Sequence, residues 1–362
     1  MQNLREEEED CRCSSGSDIV PFYHSGSIHS CPSIDSDYAD RSNTSSSLTS
    51  PYTPYRRYSS MTLSEYDNDG FKVALHNKVG KRGSSNGCLQ NATGVVHMYS
   101  GTVLVSDMIL SRITLFAENG RFRNQFSTGQ SNEPWDCDIM KNGTIICTIG
   151  QEHCIALYSV DGYLKRKIGG DILVQPRGIS KFNENSVIVT DTSLNDVLMF
   201  DFNGNLLRSF SDENINLKFN QPRYVTCTTN DQGMILVSDS GNHCIHIFTK
   251  EGKLLTTFGG YGRENGDFRF PYGIVCDKEE NIYVADHYNN RVSMFTSSGT
   301  FLRHVITPEM RLKRPQSLSL CNLMTHNILY VTHGLYYACL FLYPFTYSSV
   351  SLGPLRFAVL FV

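Results

Sequence analysis

The chain has 362 residues, 40% of them hydrophobic, and a formal net charge of −4. This length accommodates one large domain with appended segments. Residues 1–70 carry 5 Lys+Arg against 12 Asp+Glu, whereas residues 71–334 carry 26 against 24. A nearly neutral main segment lacks the overall basicity of a typical nucleic-acid-binding domain, so an RNA site there would need local clustering of cations.

The cysteines exclude further classes of protein. None of the 12 forms a CxxC pair, and the closest two are Cys11 and Cys13. RING and B-box zinc modules need spaced Cys/His ligands, which this sequence does not offer. An acidic run at residues 6–10 stands where a secretory signal would be apolar. We therefore expect a cytoplasmic protein with reduced thiols.

Residues 1–70 are rich in Ser, Asp, Pro and Tyr and show no apolar period. Such a segment cannot offset its ordering entropy by burial, so a disordered acidic tail is predicted. Residues 71–79 then predict a strand. Residues 78–94 run in register with residues 257–273, which makes residues 71–79 a fourth strand that precedes the first complete repeat. This strand can pair with an incomplete last repeat and so remove two sheet edges.

The rest of the chain repeats. Each repeat contains an apolar β-branched stretch, and these stretches end at Asp107, Ile149, Asp191, Asp239, Asp286 and His333. Each repeat opens with proline or a substitute, at Ala92, Pro134, Pro176, Pro222, Pro271 and Pro315. Turn pairs that suit a tight hairpin follow at 119–120, 161–162, 203–204, 251–252 and 298–299. Four short strands in each of several copies predict a β-propeller.

The last repeat departs from the pattern. His333 stands where Asp is usual, and an uncharged run from Leu335 to Leu355 is interrupted by Pro344 and Pro354. The run has the length of a transmembrane helix, but its prolines and hydroxyl side chains count against one. Residues 338–343 could instead form strand three. The predicted domain is therefore 71–334, or to 343, and 344–362 is a hydrophobic tail of unclear role.

Residues 270–274 (Phe-Pro-Tyr-Gly-Ile), 282–286 (Ile-Tyr-Val-Ala-Asp) and 289–292 (Asn-Asn-Arg-Val) resemble the NHL repeat. The order and length of the array resemble the NHL propeller at the end of TRIM-NHL proteins, although Ile149 and Cys154 depart from the motif. The resemblance implies an all-β, six-bladed NHL β-propeller preceded by the disordered tail. It also implies a domain that is not itself catalytic and that recruits substrates for a RING ubiquitin ligase or binds single-stranded RNA to repress messages.

Carboxylates recur where the second strand of a repeat ends. Asp107, Asp191, Asp239 and Asp286 could form a metal-binding ring, as in the related six-bladed lyases and lactonases. A motif repeated in every blade more often serves the fold, because Asp accepts backbone N–H groups in tight loops. We therefore expect no metal and no cofactor, and no Ser/His/Asp or paired-carboxylate arrangement indicates catalysis.

The non-repeated residues carry the functional prediction. In a propeller, the loops into strand one and between strands two and three lie on the same rim, where arginine and aromatic side chains suit stacking and interface anchoring. The predicted ligand-binding residues are Trp135, Arg177, Arg223, Tyr224, Tyr272, His287, Tyr288, Arg291, Lys313 and Arg314. His243, Asn289, Gln316 and Arg269 lie in the same loops. The alternative is that these arginines cap their own blades, and Arg112 and Arg291 share one repeat position.

The sequence thus predicts a non-catalytic recognition module that binds protein partners or substrates in a TRIM-NHL-like ubiquitin ligase pathway. Single-stranded RNA binding in post-transcriptional repression is the alternative. A metal-dependent propeller lyase or hydrolase is a weaker one. A membrane partner is not expected.

Overall fold

The computed structural model describes residues 74–77, 80–98, 100–213, 217–228, 233–322, 327–333 and 337–343. For 74–77, 212–213, 322, 327 and 337–343 only the backbone is described. The described residues belong to one compact unit. The predicted tails 1–70 and 344–362 lie outside the described residues.

Three short strands come first: β1 (Ala74–Asn77), β2 (Lys81–Arg82) and β3 (Cys88–Leu89). β2 and β3 form a small parallel ribbon. This ribbon lies within the loop that enters the first complete sheet.

Five four-stranded antiparallel sheets follow, each built from consecutive strands, and we call them blades 1 to 5. Blade 1 contains β4 (Ala92–Met98), β5 (Thr102–Asp107), β6 (Arg112–Ala117) and β7 (Phe122–Ser127). Blade 2 contains β8 (Pro134–Ile139), β9 (Ile145–Ile149), β10 (Cys154–Tyr158) and β11 (Leu164–Ile168). Blade 3 contains β12 (Pro176–Lys181), β13 (Ser186–Asp191), β14 (Asp196–Asp201) and β15 (Leu206–Ser209). Blade 4 contains β16 (Pro222–Cys227), β17 (Met234–Asp239), β18 (Cys244–Thr249) and β19 (Leu254–Gly259). Blade 5 contains β20 (Pro271–Cys276), β21 (Ile282–Asp286), β22 (Arg291–Phe295) and β23 (Phe301–Ile306).

A further four-stranded sheet joins the two ends of the described chain. It contains β24 (Pro315–Asn322), β25 (Asn327–His333) and β26 (Tyr337–Tyr343), with β1 at its outer edge. β1 runs antiparallel to β26, with Ala74 opposite Leu342. We call it the closing sheet, and it has the pairing that the repeat register predicts for residues 71–79.

Little of the described chain is helical. α1 spans Phe210–Glu213, and short 3-10 helices span Ser240–Asn242 and Pro308–Met310. Within the described ranges, no helix has the length and apolar character needed to cross a membrane.

The first strand of each sheet faces the first strand of the next. β4 neighbours β8, and the sequence of neighbours continues through β12, β16 and β20 to β24, which contacts β4. This is the arrangement of an all-β propeller with the first strands innermost. Each first strand begins at the proline or alanine that marks the repeat in the sequence.

In blades 3 and 5, the close approach of the next first strand requires glycine at the second position after the opening proline. A Cβ added to Gly178 would lie 2.5 Å from the Tyr224 Cα, and one added to Gly273 would lie 2.5 Å from the Gln316 carbonyl oxygen. Real Cβ contacts are not this short, so these two positions set the spacing between blades.

The core consists of the second and third strands, which are covered on both faces by neighbouring blades. Every residue of β5, β9 and β21 is buried. An aromatic side chain recurs near the end of strand three, at Phe116, Tyr158, Phe200, Phe248 and Phe295, and all are buried. The fourth strands are outermost, and β19 alternates between half-buried and exposed residues.

The predicted hairpins between strands three and four are confirmed in blades 1 to 5. Their glycines all have positive φ, with values of 79° at Gly120, 89° at Gly162, 96° at Gly204, 86° at Gly252 and 84° at Gly299. Glycine adopts this conformation without a Cβ penalty, so the turn pairs locate the hairpins correctly.

Candidate binding rim

A group of stacked side chains joins blades 2 to 5 and the loop into the closing sheet. Its rings and guanidinium groups lie against one another in succession, and we call it the aromatic–arginine rim. It comprises Trp135, Arg177, Arg223, Tyr272, His287, Tyr288 and Arg314. All of these residues belong to the predicted ligand-binding set.

Two arginines lie over Trp135. The Arg177 Cζ is 4.0 Å from the centre of the Trp135 ring, and the Arg223 Cζ is 5.9 Å from it. Arg223 also lies 4.7 Å from the centre of the Tyr272 ring. A guanidinium over an aromatic face is attracted by the ring quadrupole, so Arg223 links the two aromatic groups.

The stack continues within blade 5. Tyr272 and His287 are parallel, with ring centroids 4.1 Å apart and an interplanar angle of 15°. His287 contacts Tyr288 at 4.9 Å, and the Arg314 Cζ lies 5.4 Å from the Tyr288 ring. Tyr272 is only 9% exposed whereas Tyr288 is 45% exposed. Tyr288 is therefore the accessible aromatic face of this part of the rim.

A second set of aromatic contacts extends from Tyr288. Phe270 lies 5.2 Å from Tyr288, His243 lies 4.6 Å from Phe270, and Tyr261 lies 5.0 Å from His243. Arg269 ends this set, with its Cζ 5.5 Å from the Tyr261 ring. His243 and Arg269 are predicted from the sequence to lie in these loops, whereas Phe270 and Tyr261 are not among the predicted residues. Both precede the opening Pro271, so aromatic residues in the loops before the opening prolines are the sequence signal that indicates them.

Hydroxyl groups of the preceding blade hold the backbone of the rim. Ser106 Oγ donates to the Trp135 carbonyl at 2.8 Å, and Thr190 Oγ1 donates to the Arg223 carbonyl at 3.1 Å. Thr148 Oγ1 donates to the Arg177 carbonyl in the same way. Each donor comes from the second strand of one blade and each acceptor from the first strand of the next. The spacing of the rim side chains therefore follows from the stacking of the blades.

At the centre of the rim, polar atoms of two arginines and of Trp135 have no partner among the described residues. None of the ion pairs among the described residues involves Arg177 or Arg223. The Arg177 Nε and Nη1, the Arg223 Nε and the Trp135 Nε1 are buried and have no hydrogen-bond partner among those residues. Burial, together with the charge of Arg223, lowers the pKa of Arg177 to about 10. Arg177 still carries its positive charge at neutral pH, so a nearby anion would be attracted.

His287 is a neutral member of the stack. Its Nδ1 lies 3.0 Å from the Pro315 carbonyl oxygen, which places a proton on that nitrogen. Burial, and to a smaller extent the charges of Arg223 and Arg314, lower the pKa of His287 to about 4, although the hydrogen bond to Pro315 acts in the opposite direction. The imidazole therefore joins blade 5 to the closing sheet without adding charge.

Tyr224 packs against the buried side of the rim. It is 3% exposed, and its hydroxyl donates to the Thr93 carbonyl in blade 1. Its ring lies 6.2 Å from Tyr272. Burial raises its pKa well above the ordinary value. The side chain is therefore placed to link blade 4 to blade 1 rather than to face a ligand.

Arg291 is used by the fold. Its Nε binds the Asp286 carboxylate at 2.8 Å, and both side chains are buried. Its Nη atoms donate to the carbonyls of Arg263, Glu264 and Asp267, which fixes the loop into β20. Arg112 has the same role in blade 1, where it donates to the carbonyls of residues 84, 85 and 88. This geometry favours the capping alternative at this repeat position.

The remaining predicted residues occupy the edge of the rim. Lys313 is exposed, and its carbonyl lies 3.1 Å from His333 Nδ1. Gln316 is buried and its Nε2 donates to Asn91 Oδ1 at 3.3 Å. An open groove of about 460 Å³ lies beside Tyr288, lined by Arg263, Tyr288, Asn289, Asn290, Arg291, His304, Thr307, Pro308 and Glu309. A partner side chain could enter this groove next to Tyr288.

The recurrent aspartates act within their own blades. Asp107 accepts the N–H groups of Gln90 and Asn91, and Asp191 accepts those of Val174 and Gln175. Asp239 accepts from Asn220 N and Asp286 accepts from Arg269 N. Each carboxylate thus fastens the loop into its own first strand. These contacts support the fold-based explanation of the motif.

Blade 4 has a different residue at the position that arginine occupies in blades 1 and 5. Cys244 stands where blade 5 has Arg291, and His246 replaces the guanidinium as the partner of Asp239, with its Nε2 at 3.1 Å from the carboxylate. The other ring nitrogen of His246 lies 2.8 Å from Thr257 Oγ1. Both nitrogens are therefore already engaged, although Asp239, Cys244 and His246 are close enough to hold a metal ion.

Known proteins match parts of the sequence. A stretch of 146 residues is 33% identical to "Protein brain tumor" of Drosophila melanogaster and covers 38% of this chain and 14% of that protein. A stretch of 147 residues is 32% identical to "B-box type zinc finger protein ncl-1" of Caenorhabditis elegans, covering 39% and 17%. "E3 ubiquitin-protein ligase TRIM71" of Xenopus tropicalis is 47% identical over 45 residues, or 12% of this chain and 6% of that protein. The matches thus span a small part of each relative, and no family model matches the chain.

Solved structures share the fold at low identity. A Bacteroides thetaiotaomicron protein of unknown function has a TM-score of 0.58 at 12% identity and covers 75% of each chain. The gluconolactonase XC5397 of Xanthomonas campestris has a TM-score of 0.55 at 14% identity and covers 76% of this chain and 90% of its own. A chain of the nidogen/laminin complex has a TM-score of 0.52 at 15% identity, covering 68% and 96%. Enzymes and binding proteins both appear, so the likeness identifies the fold alone.

The repeat register, the sheet topology and the sequence matches together show that this chain is an all-β propeller that resembles the NHL-repeat domain at the C-terminal end of the TRIM-NHL proteins.

Proposed function

We propose that this chain is a non-catalytic recognition module that binds a protein partner through the aromatic–arginine rim. The observation that carries the proposal is Arg177, which is stacked at 4.0 Å on Trp135 and has no ion pair among the described residues. Arginine and large aromatic residues dominate the binding energy of protein interfaces. A rigid stack also loses little side-chain entropy on binding.

The charge of the rim favours a partner segment with a carboxylate. Arg177 and Arg223 both lie over Trp135, and the charge of Arg223 lowers the pKa of Arg177 while that of Glu133 acts in the opposite direction, so a partner carboxylate would relieve the repulsion between the two arginines. The exposed ring of Tyr288 would take an apolar or aromatic partner side chain. We therefore expect the preferred ligand to be an acidic segment that also carries an apolar anchor.

The test is a selection from a displayed library of natural disordered peptides, with the whole chain as bait. Selected peptides are then titrated calorimetrically against the wild type and the double variant Arg177→Ala, Arg223→Ala. Truncation of one such anchor costs about 2 kcal/mol or more, so the affinity of the double variant should fall by at least about 30-fold. The matched control is Arg121→Ala with Arg166→Ala, which removes the same charge from exposed positions away from the rim. Equal affinities for wild type and rim variant would refute the proposal.

Single-stranded RNA is the second candidate ligand, because the same stack of arginine and aromatic faces can hold unstacked bases. The balance of 26 Lys+Arg against 24 Asp+Glu in residues 71–334 is evidence against a broad phosphate-binding surface. If RNA is the ligand, log affinity for short single strands should fall with log salt at about −0.7 per neutralised phosphate. The double variant should flatten that slope. Submicromolar, sequence-selective RNA binding at physiological salt, lost in the variant, would favour RNA over protein.

We place the protein interaction in a ubiquitin ligase pathway, with a bound protein as the substrate. The support is the name of one relative, an E3 ubiquitin-protein ligase, together with the family resemblance. A partner identified through rim-dependent binding should lose ubiquitin chains and accumulate in cells that express only the double variant. Unchanged ubiquitination of that partner would separate the rim from this pathway.

The complete domain is proposed to have six blades, with the closing sheet as the sixth. Support comes from its four strands and from the contacts of β24 with both β20 and β4. A cytoplasmic location is also part of the proposal. The eight cysteines described as free are compatible with a reducing compartment.

A further inference from the structure

Three side chains with different metal-binding atoms meet where blade 1 contacts the closing sheet. His97 lies near the end of β4, Cys321 near the end of β24, and Glu118 directly after β6. Their ligand atoms all lie within 4.8 Å of one another. This cluster is at the opposite end of the first strands from the aromatic–arginine rim, since Trp135 and Arg177 follow the opening prolines.

The cluster contains buried polar atoms without partners. His97 Nε2 is buried and has no hydrogen-bond partner among the described residues, and the same is true of the adjacent Tyr330 hydroxyl. The His97 ring is held in place by stacking on Tyr330, with centroids 5.3 Å apart and an interplanar angle of 22°. The His97 backbone N–H donates to Ser319 Oγ at 3.1 Å. A buried polar atom left unpaired costs about 1–3 kcal/mol, so a fixed imidazole nitrogen beside a thiol and a carboxylate points to a ligand.

We propose that His97 Nε2, the Glu118 carboxylate and the Cys321 thiolate bind one divalent transition-metal ion of the zinc type. Nitrogen, sulfur and oxygen donors together are the ligand set that zinc uses in proteins. Zinc bonds of about 2.0–2.3 Å in a tetrahedron separate ligand atoms by about 3.3–3.8 Å. The rotation of Glu118, which is the least confined of the three, closes the remaining distance. The thiol releases its proton to solvent on binding, and water takes the fourth position.

The cluster in blade 4 does not share this feature. His246 has both ring nitrogens within hydrogen-bond distance of a partner, on Asp239 and Thr257, so metal binding there would break two existing contacts. His97 Nε2 has no hydrogen-bond partner in the part of the chain that the structure describes, so metal binding there would break no described contact. The blade 4 cluster therefore serves as the matched control.

The ion would join the two ends of the repeat array. His97 and Glu118 belong to blade 1 and Cys321 belongs to the closing sheet, whose outer strand is β1. A metal bound only by the folded protein stabilises it through mass action. Zinc should therefore raise the Tm of the whole chain by several degrees.

The test uses Co²⁺ as a spectroscopic substitute for zinc, titrated into the full chain under reducing conditions. One equivalent should produce a thiolate-to-cobalt charge-transfer band, and added Zn²⁺ should displace it. Cys321→Ser and His97→Gln should each abolish the band. Cys244→Ser, which changes only the control cluster, should keep it.

The variant Glu118→Gln distinguishes the loss of a metal ligand from a loss of folding, because this side chain is not part of the core. It should weaken Co²⁺ binding about tenfold or more while the circular dichroism spectrum stays that of the wild type. Absence of the band in the wild type overturns the proposal. So does a band that persists in Cys321→Ser or that disappears in Cys244→Ser.

Discussion

Arg177 and Arg291 both lie in loops of the same rim, but their guanidinium groups have different surroundings. Arg177 rests on an aromatic face without an ion pair among the described residues, whereas Arg291 binds a buried carboxylate and three carbonyls. Stability and ligand binding should therefore respond to different arginines.

Arg291→Ala should lower the free energy of unfolding by about 3–5 kcal/mol, because Asp286 would be left buried without its cation. Arg177→Ala should cost about 1 kcal/mol or less, since no buried charge loses a partner. Urea denaturation of both variants measures the difference. Similar losses in the two variants would show that Arg177 is also structural.

Acidification should act through His287. Its pKa is about 4 in the folded chain and 6.5 in the unfolded chain, so between these values the unfolded chain binds a proton that the folded chain does not. The stabilising contribution is complete above pH 6.5 and is lost as the pH falls toward 4, by about 3 kcal/mol in total.

His287→Asn keeps a donor for the Pro315 carbonyl but removes the titrating group, so its stability should fall less between pH 6.5 and 4. His304, whose pKa burial also lowers to about 4, keeps part of the slope. Thermal melts across this range provide the measurement. If the variant had the same pH profile of stability as the wild type, His287 would be ruled out as the responsible group.

At the scale of the strands, the contact that recurs is a hydroxyl of one blade bound to the first strand of the next. Thr190 Oγ1 accepts the Gly178 N–H at 2.9 Å and donates to the Arg223 carbonyl at 3.1 Å. Thr114 is equally buried, but its hydroxyl has no partner among the described residues. The two threonines are therefore equally buried but differ in what their hydroxyls contact.

Thr190→Val should destabilise the protein by about 1–3 kcal/mol, because a buried N–H and a carbonyl lose their partner. Thr114→Val should be neutral or stabilising, because it removes an unpaired hydroxyl at constant shape. Denaturant midpoints of the pair measure this. If Thr114→Val were more destabilising than Thr190→Val, the assignment of Thr190 as an inter-blade contact would be contradicted.

The pairing of β1 with β26 leads to a prediction about the ends of the array. Deletion of residues 71–79 should expose strand edges, lower the Tm by several degrees and promote aggregation, whereas deletion of residues 1–69 should do little. Melting and light scattering of both truncated proteins test it. If the two melt alike, β1 does not close the sheet.

For the whole molecule, the positions of strands could be predicted because the repeat sets them. The opening prolines, the terminal aspartates and the hairpin glycines each mark a backbone requirement, and the strands begin and end at those residues. The burial of individual side chains could not be predicted in the same way. Tyr224 and Tyr288 were both assigned to the rim, yet one is 3% and the other 45% exposed, because the neighbouring blade decides which ring is covered.

The metal-binding cluster could not be predicted from the sequence for a related reason. His97, Glu118 and Cys321 have no motif spacing, and only the contact between the first and last sheets brings them together. The sequence predicts no metal site, and the proposed cluster departs from that prediction, because the recurrent aspartates are the metal-binding candidates that the repeat makes visible. Ligands contributed once each, by different strands, leave no periodic signal.

Trp135 is the one tryptophan of the chain, and two arginines lie over its indole. The intrinsic tryptophan fluorescence of the protein therefore reports on the rim alone. A ligand that draws Arg177 away from the indole should change the emission, whereas Zn²⁺, which has no absorption band in the range of that emission, should leave it unchanged when bound between blade 1 and the closing sheet. The two proposed sites can thus be followed separately without a label, by the emission of the zinc-loaded protein for the first and by the absorption of the cobalt-loaded protein for the second.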